Sequence, residues 1–193
     1  MKYLFPFLAL LFFPLSALAH EGVSGGFESG LTHPVLGLDH LLAMVAVGII
    51  SSQMGGKAIW TVPATFVIVM AIGGALGLMD IGLFAIEIGI ALSVVVLGFT
   101  IATNAKLHQV VIYGFVALFA IFHGYAHGLE IPELASSWSY VVGFMIGTAG
   151  LHILGLAIGY FAKKAKKGEM LLQYSGAVIA GMGLHIILGM VGF

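Results

Sequence analysis

Two stretches of the chain set cation-ligating residue types inside otherwise apolar sequence. In His33-Pro34-Val35-Leu36-Gly37-Leu38-Asp39-His40-Leu41-Leu42-Ala43-Met44-Val45-Ala46-Val47-Gly48, two imidazoles and a carboxylate stand at the head of an apolar run. Such groups are costly in hydrocarbon unless they are paired, hydrated or liganded, so their presence there points to function. The plainer alternative is a hydrated pair at a helix end. On a continuous helix His33 and His40 lie nearly in line on one face, two turns apart, and Met44 continues that stripe. Asp39 then points about 100° around the axis, where it would reach a second helix or share an ion. Pro34 suits a first helical turn, where no N–H is needed.

The second stretch, Phe122-His123-Gly124-Tyr125-Ala126-His127-Gly128-Leu129-Glu130, places His123 and His127 one turn apart on one helix face, a spacing that offers two imidazoles to one ion. Glu130 extends the stripe if the helix persists past Gly128, and sits on a loop above the pair if Gly128 ends it. Glu87, in an apolar run without a lysine, reads as a buried carboxylate that wants a cation, or as a protonated acid bonded to a neighbouring helix. His152 and His185 sit in recurring Gly-Leu-His-Ile elements, and each is either a hydrogen-bonded core histidine or a later station on a cation path. His108, close to Lys106, reads as solvated, and the methionines other than Met44 read as core filler.

The elements that must position these groups follow from composition. The chain has 193 residues, 61% hydrophobic and 8% charged, with a mean hydropathy of +1.15. That is far outside soluble averages and implies an all-α, polytopic integral membrane protein. A formal net charge of −1 and the lack of any arginine argue against nucleic acid as a partner, which needs a basic footprint. With no cysteine there is no disulfide, thiolate metal site, iron–sulfur cluster or c-type haem attachment. A metal must then meet nitrogen, oxygen or thioether donors, and eight histidines among so few polar residues favour metal handling. No Walker A sequence is present, so the chain carries no signature of ATP hydrolysis.

Met1 to Ala19 carries Lys2, an apolar core and a small-residue end, the pattern of a cleavable signal peptide, with residues 20–193 as a single six-helix transmembrane domain. Pro6, Pro14 and a short core weigh against a retained span. A mature terminus at His20 would lie outside, where its amine and imidazole could chelate an ion or simply be flexible. Six spans follow at about 35–52, 58–79, 82–103, 107–127, 138–162 and 170–192, each near the roughly 20 residues a bilayer requires. Lys57, Lys106 and the lysines at 163, 164, 166 and 167 then all fall inside, with Asp80, Glu130 and Glu133 outside, in accord with the positive-inside rule. Losing or adding one span would scatter the lysines. Gly73/Gly77, Gly143/Gly147 and Gly155/Gly159 stand at the spacing that lets helices approach closely in lipid.

The first stretch resembles the HPxxGxDHxxxMxxVG signature of the HupE/UreJ family, and the second fits that family's HGxAHGxE pattern. Length and helix number extend the resemblance over essentially the whole chain. These are hydrogenase- and urease-accessory membrane proteins regarded as secondary nickel or cobalt permeases. The resemblance implies metal recognition by the first-span motif, an acidic residue of the third span and the HGxAHGxE segment, which maps onto His33, Asp39, His40, Glu87, His127 and Glu130; His123 joins them by spacing. It implies a bacterial inner-membrane protein with Ni²⁺ (or Co²⁺) as transported ion, no prosthetic group and no enzymatic step, supplying metal to hydrogenase or urease. Donor chemistry alone would favour Cu²⁺, so the metal's identity rests on the resemblance. The expected partners are the metal ion and the lipid bilayer, with a possible homo-oligomer and possible metalloenzyme maturation proteins. Two rival readings are an intramembrane zinc hydrolase, which lacks HExxH, and a bis-histidine haem protein using His123, His152 or His185, which lacks arginines for the propionates.

Overall fold

The computed structural model describes residues 26–130 and 137–192. The expected signal peptide with its cleavage site, His20 and Glu133 lie outside the described residues. Every regular element among them is helical: α1 Phe27–Leu36, α2 Leu38–Met54, α3 Ala58–Leu78, α4 Ile86–Ala102, α5 Gln109–Glu130, α6 Ser137–Lys164 and α7 Gly168–Met190. In lipid no water satisfies the backbone, so apolar runs of this length close their hydrogen bonds internally as helices.

Among the described residues, α3, α5, Trp138–Lys164 of α6 and α7 are each long and apolar enough to span a bilayer. Helices α1 and α2 pass the same test only as a pair, and they meet at 84°. This corrects the continuous first helix expected from the sequence. Pro34 falls near the end of α1 rather than in a first turn, and its missing N–H leaves the preceding turn one bond short. Gly37 then adopts extended backbone (φ −82°, ψ 112°) between the helices. A side chain at Gly37 would crowd Asp39 Oδ1 and His40 Nδ1, each 3.2 Å from its Cβ, so the break is shaped around that pair.

The fourth helix also starts later than the sequence suggests. Residues Gly82 to Ala85 are not helical, and Ala85 is left-handed (φ 56°). The 17 residues of α4 rise about 26 Å, a little short of a hydrocarbon core of roughly 30 Å, a mismatch that a bilayer absorbs by local thinning.

Helix α2 is the central post, buried from His40 to Ser52 at every position except Leu41 and Val45. It packs along α6 and touches α3 and α4; α3 pairs with α5, α4 with α7, and α1 with α6. All three glycine pairs noted in the sequence sit at such crossings. Gly73 and Gly77 face the α5 backbone at Ile121 and Tyr125, Gly143 and Gly147 face α1 at Phe27 and Leu31, and Gly155 and Gly159 face α2 at Val45 and Ser52.

The lysine-bearing connections gather at one end of the bundle. Gln53, Lys106, Lys163, Lys166 and Lys167 line one cavity there, and Lys163 Nζ donates to the carbonyls of Ser52 and Gln53. His40, Glu130 and Tyr140 stand at the opposite ends of their helices. Trp60 and Trp138, both highly exposed, mark the two ends as an interfacial aromatic belt would. Reporter fusions after Lys57, Lys106 and Lys167 are therefore expected to read cytoplasmic, and fusions after Asp80 and Glu133 extracytoplasmic. One reversed loop would break the six-span topology expected from the sequence.

Candidate metal centre

The bend at Gly37 decides where the first motif goes. Instead of lying in line on one helix face, His33 on α1 and His40 on α2 flank the same residue of α5. The His127 ring is 4.7 Å from that of His33 and 4.5 Å from that of His40, centroid to centroid. The α5 helix does not end at Gly128 but runs to Glu130, so His123, His127 and Glu130 form a continuous stripe, as one of the two sequence readings required. Gly124 and Gly128 on α5 abut the α3 backbone at Met70 and Gly74, which seats this stripe deep in the bundle.

At the outer edge, His33, His127 and Glu130 each offer a donor atom within 4.8 Å of the others. Glu130 Oε2 lies 3.3 Å from His127 Nδ1 and 3.6 Å from His33 Nε2. Glu130 is exposed, His33 half-buried and His127 buried, so the trio runs from solvent inward. The rings of Tyr140 and Phe144 wall it, Phe144 lying 4.2 Å from His127 and Tyr140 5.7 Å from His33.

Below the trio the imidazoles continue as a ladder. The His40 ring is 4.6 Å from that of His123, which is fully buried. Hydrogen bonds fix which nitrogen of each ring stays bare. Asp39 Oδ1 is 2.8 Å from His40 Nδ1, and a carboxylate only accepts, so the proton sits on Nδ1 and the His40 Nε2 lone pair is free. Ser93 Oγ donates to the Ile90 carbonyl at 2.6 Å, so it accepts from His123 Nε2 at 3.3 Å and leaves His123 Nδ1 bare. By the same reasoning the Glu130 contact leaves His127 Nε2 bare. These three nitrogens, His40 Nε2, His123 Nδ1 and His127 Nε2, are buried without a hydrogen-bond partner among the described residues.

Buried polar atoms ordinarily find partners. Three neighbouring imidazoles, each with its second nitrogen anchored and its first left as a lone pair, form the donor pattern that histidine presents to a transition metal. Asp39 does not reach across to a second helix as the sequence suggested. In the first turn of α2, it holds the adjacent His40 instead.

The remaining candidates separate. Glu87 is exposed in the first turn of α4, rather than buried, and makes no hydrogen bond or ion pair among the described residues. The late start of α4 is the cause, since it leaves Glu87 one residue from the helix end. His185 is exposed on α7 and His108 is exposed beside the lysine end. Ser93, Phe144 and Tyr140 belong to the site but were not legible in the sequence, where a serine in an apolar run and aromatic residues near a helix start look ordinary.

The fold and its polar interior define a class: a multi-pass helical membrane protein whose bundle carries an exposed carboxylate leading into buried imidazoles. Comparison with known proteins makes this particular. The model of the HupE / UreJ protein family matches residues 8–186. Protein HupE of Rhizobium leguminosarum bv. viciae is 43% identical over 183 residues, covering 94% of this chain and 95% of that protein. The chain belongs to the HupE/UreJ family. No solved structure matches it.

Proposed function

We propose that this protein is a secondary transporter that takes up a divalent first-row metal ion, Ni²⁺ (or Co²⁺), across the bacterial inner membrane to supply metalloenzymes such as hydrogenase or urease. The observation that carries the proposal is the ladder of anchored imidazoles with bare inner nitrogens, descending from exposed Glu130 into the α2–α5 core. Glu130, His33 and His127 capture the ion at the mouth. His40 and His123 receive it below, and Asp39 keeps the His40 lone pair inward. Glu87, exposed at the same end of the bundle, concentrates cations at the mouth rather than ligating in the core. Residues 1–19 act as a cleaved signal peptide, which leaves the mature terminus and the mouth on the extracytoplasmic side.

Imidazole and carboxylate donors suit Ni²⁺ and Co²⁺, and family membership selects these over Cu²⁺. No nucleotide is needed to drive uptake. A potential of 100 mV, negative inside, favours entry of a doubly charged ion by about 4.6 kcal/mol, roughly three orders of magnitude in accumulation.

Because only neutral imidazole ligates, protons compete with the metal. Ni²⁺ binding to the detergent-solubilised protein should be strong at neutral pH and weaken as the solution is acidified, because each imidazole must be free of its proton to ligate. Binding that does not weaken at any acid pH at which the protein stays folded would argue against histidine ligation.

A further inference from the structure

One imidazole outside the capture site is also buried with unmet ring nitrogens. His152, on α6, is 1% exposed, and neither of its ring nitrogens has a hydrogen-bond partner among the described residues. A neutral imidazole always presents one donor and one acceptor, so a histidine kept for packing normally has at least one of them met. His152 is held by shape alone. Phe66, itself fully buried, sets its ring edge-on to His152 at 5.0 Å and lies tilted at 5.6 Å from His123.

The surroundings of His152 are neutral and donor-bearing. Thr148, one turn earlier on the same face of α6, is fully buried, and its hydroxyl meets Met70 Sδ at 3.9 Å. The close crossing of α2 and α6 at Gly48 and His152 places this group two turns below His40, in the direction of the lysine-bearing end.

We propose that His152 is an inner station for the divalent cation, receiving it from His123 past Phe66, with the Thr148 hydroxyl and Met70 thioether as neighbouring neutral donors. A station of one imidazole and neutral groups, with no carboxylate, binds more weakly than the carboxylate-flanked mouth, and conduction needs inner sites that release their ion. The inference rests on the transport reading above, and its test separates the two.

His152→Leu keeps volume and removes two unmet polar atoms, so the variant should be at least as abundant and thermally stable as the wild type. Uptake of radiolabelled Ni²⁺ into proteoliposomes should nevertheless fall by about tenfold or more, while Ni²⁺ binding at the mouth, measured in detergent, keeps its affinity. A His152→Leu protein that transports at the wild-type rate would overturn the station. A wild-type protein that neither binds nor transports Ni²⁺ would overturn the transport reading itself. A second arm needs no variant: in wild-type crystals soaked in Ni²⁺, anomalous density is expected beside His152 as well as at the mouth, and density confined to the mouth contradicts the proposal.

Discussion

Asp39→Asn should abolish most Ni²⁺ uptake while leaving the protein abundant in the membrane. The substitution preserves size, and the amide oxygen still reaches His40 Nδ1, so folding has little reason to change. What changes is the wiring. A carboxylate can only accept, and at 2.8 Å it commits His40 to a single tautomer with its Nε2 lone pair facing inward. An amide can turn its NH₂ toward Nδ1, which puts the proton on Nε2 and closes that rung. The negative charge beside His40 is lost as well. Changes to such carboxylate–histidine partners typically cost about 10- to 100-fold in metal affinity or activity, and uptake at constant membrane abundance should fall within that range. A structural carboxylate would instead lower abundance and activity together.

Replacing His127 should cost more still. Its ring contacts those of His33 and His40, and its Nδ1 meets Glu130, so it is shared between the mouth and the ladder. His127→Ala removes a donor from the outer trio and opens the path between His33 and His40 in one step. The loss of uptake should exceed the roughly 100-fold typical of groups that merely orient a ligand. His127→Leu, which fills the space beside Phe144, should be equally inactive at normal abundance. His108→Ala should transport normally, because His108 is exposed and lies near the lysine end, most of a bilayer thickness of about 30 Å from the mouth.

The helical class, the membrane setting and the close-packed glycine pairs were legible because each depends on local composition and spacing. So was the gathering of His33, His40, His123, His127 and Glu130, since both motifs head toward the same end of the bundle. The geometry of that gathering was not. Spacing on a continuous helix put His33 and His40 on one stripe, but the break at Gly37 turned α1 by 84° and placed the two rings on either side of His127. A glycine with ordinary negative φ gives little warning of a break, and Pro34 reads equally well at a helix start.

The role of Asp39 followed the same break, which leaves its carboxylate beside its neighbour instead of across the bundle. Glu87 failed to appear as a buried group because four residues expected to be helical are not, and no pattern in Gly82-Leu83-Phe84-Ala85 announces the left-handed Ala85. His152 was visible only as a lone histidine, and its unmet nitrogens depend on packing from α3 that no spacing reveals.

The most direct test of cation passage through the imidazole ladder is uptake of radiolabelled Ni²⁺ by proteoliposomes holding the purified protein alone, with an inside-negative potential and no nucleotide. Saturable uptake above that of empty vesicles, competed by Co²⁺ and lost in His127→Leu, is the expected result. Uptake no greater than in empty vesicles, or uptake that His127→Leu leaves intact, would contradict it.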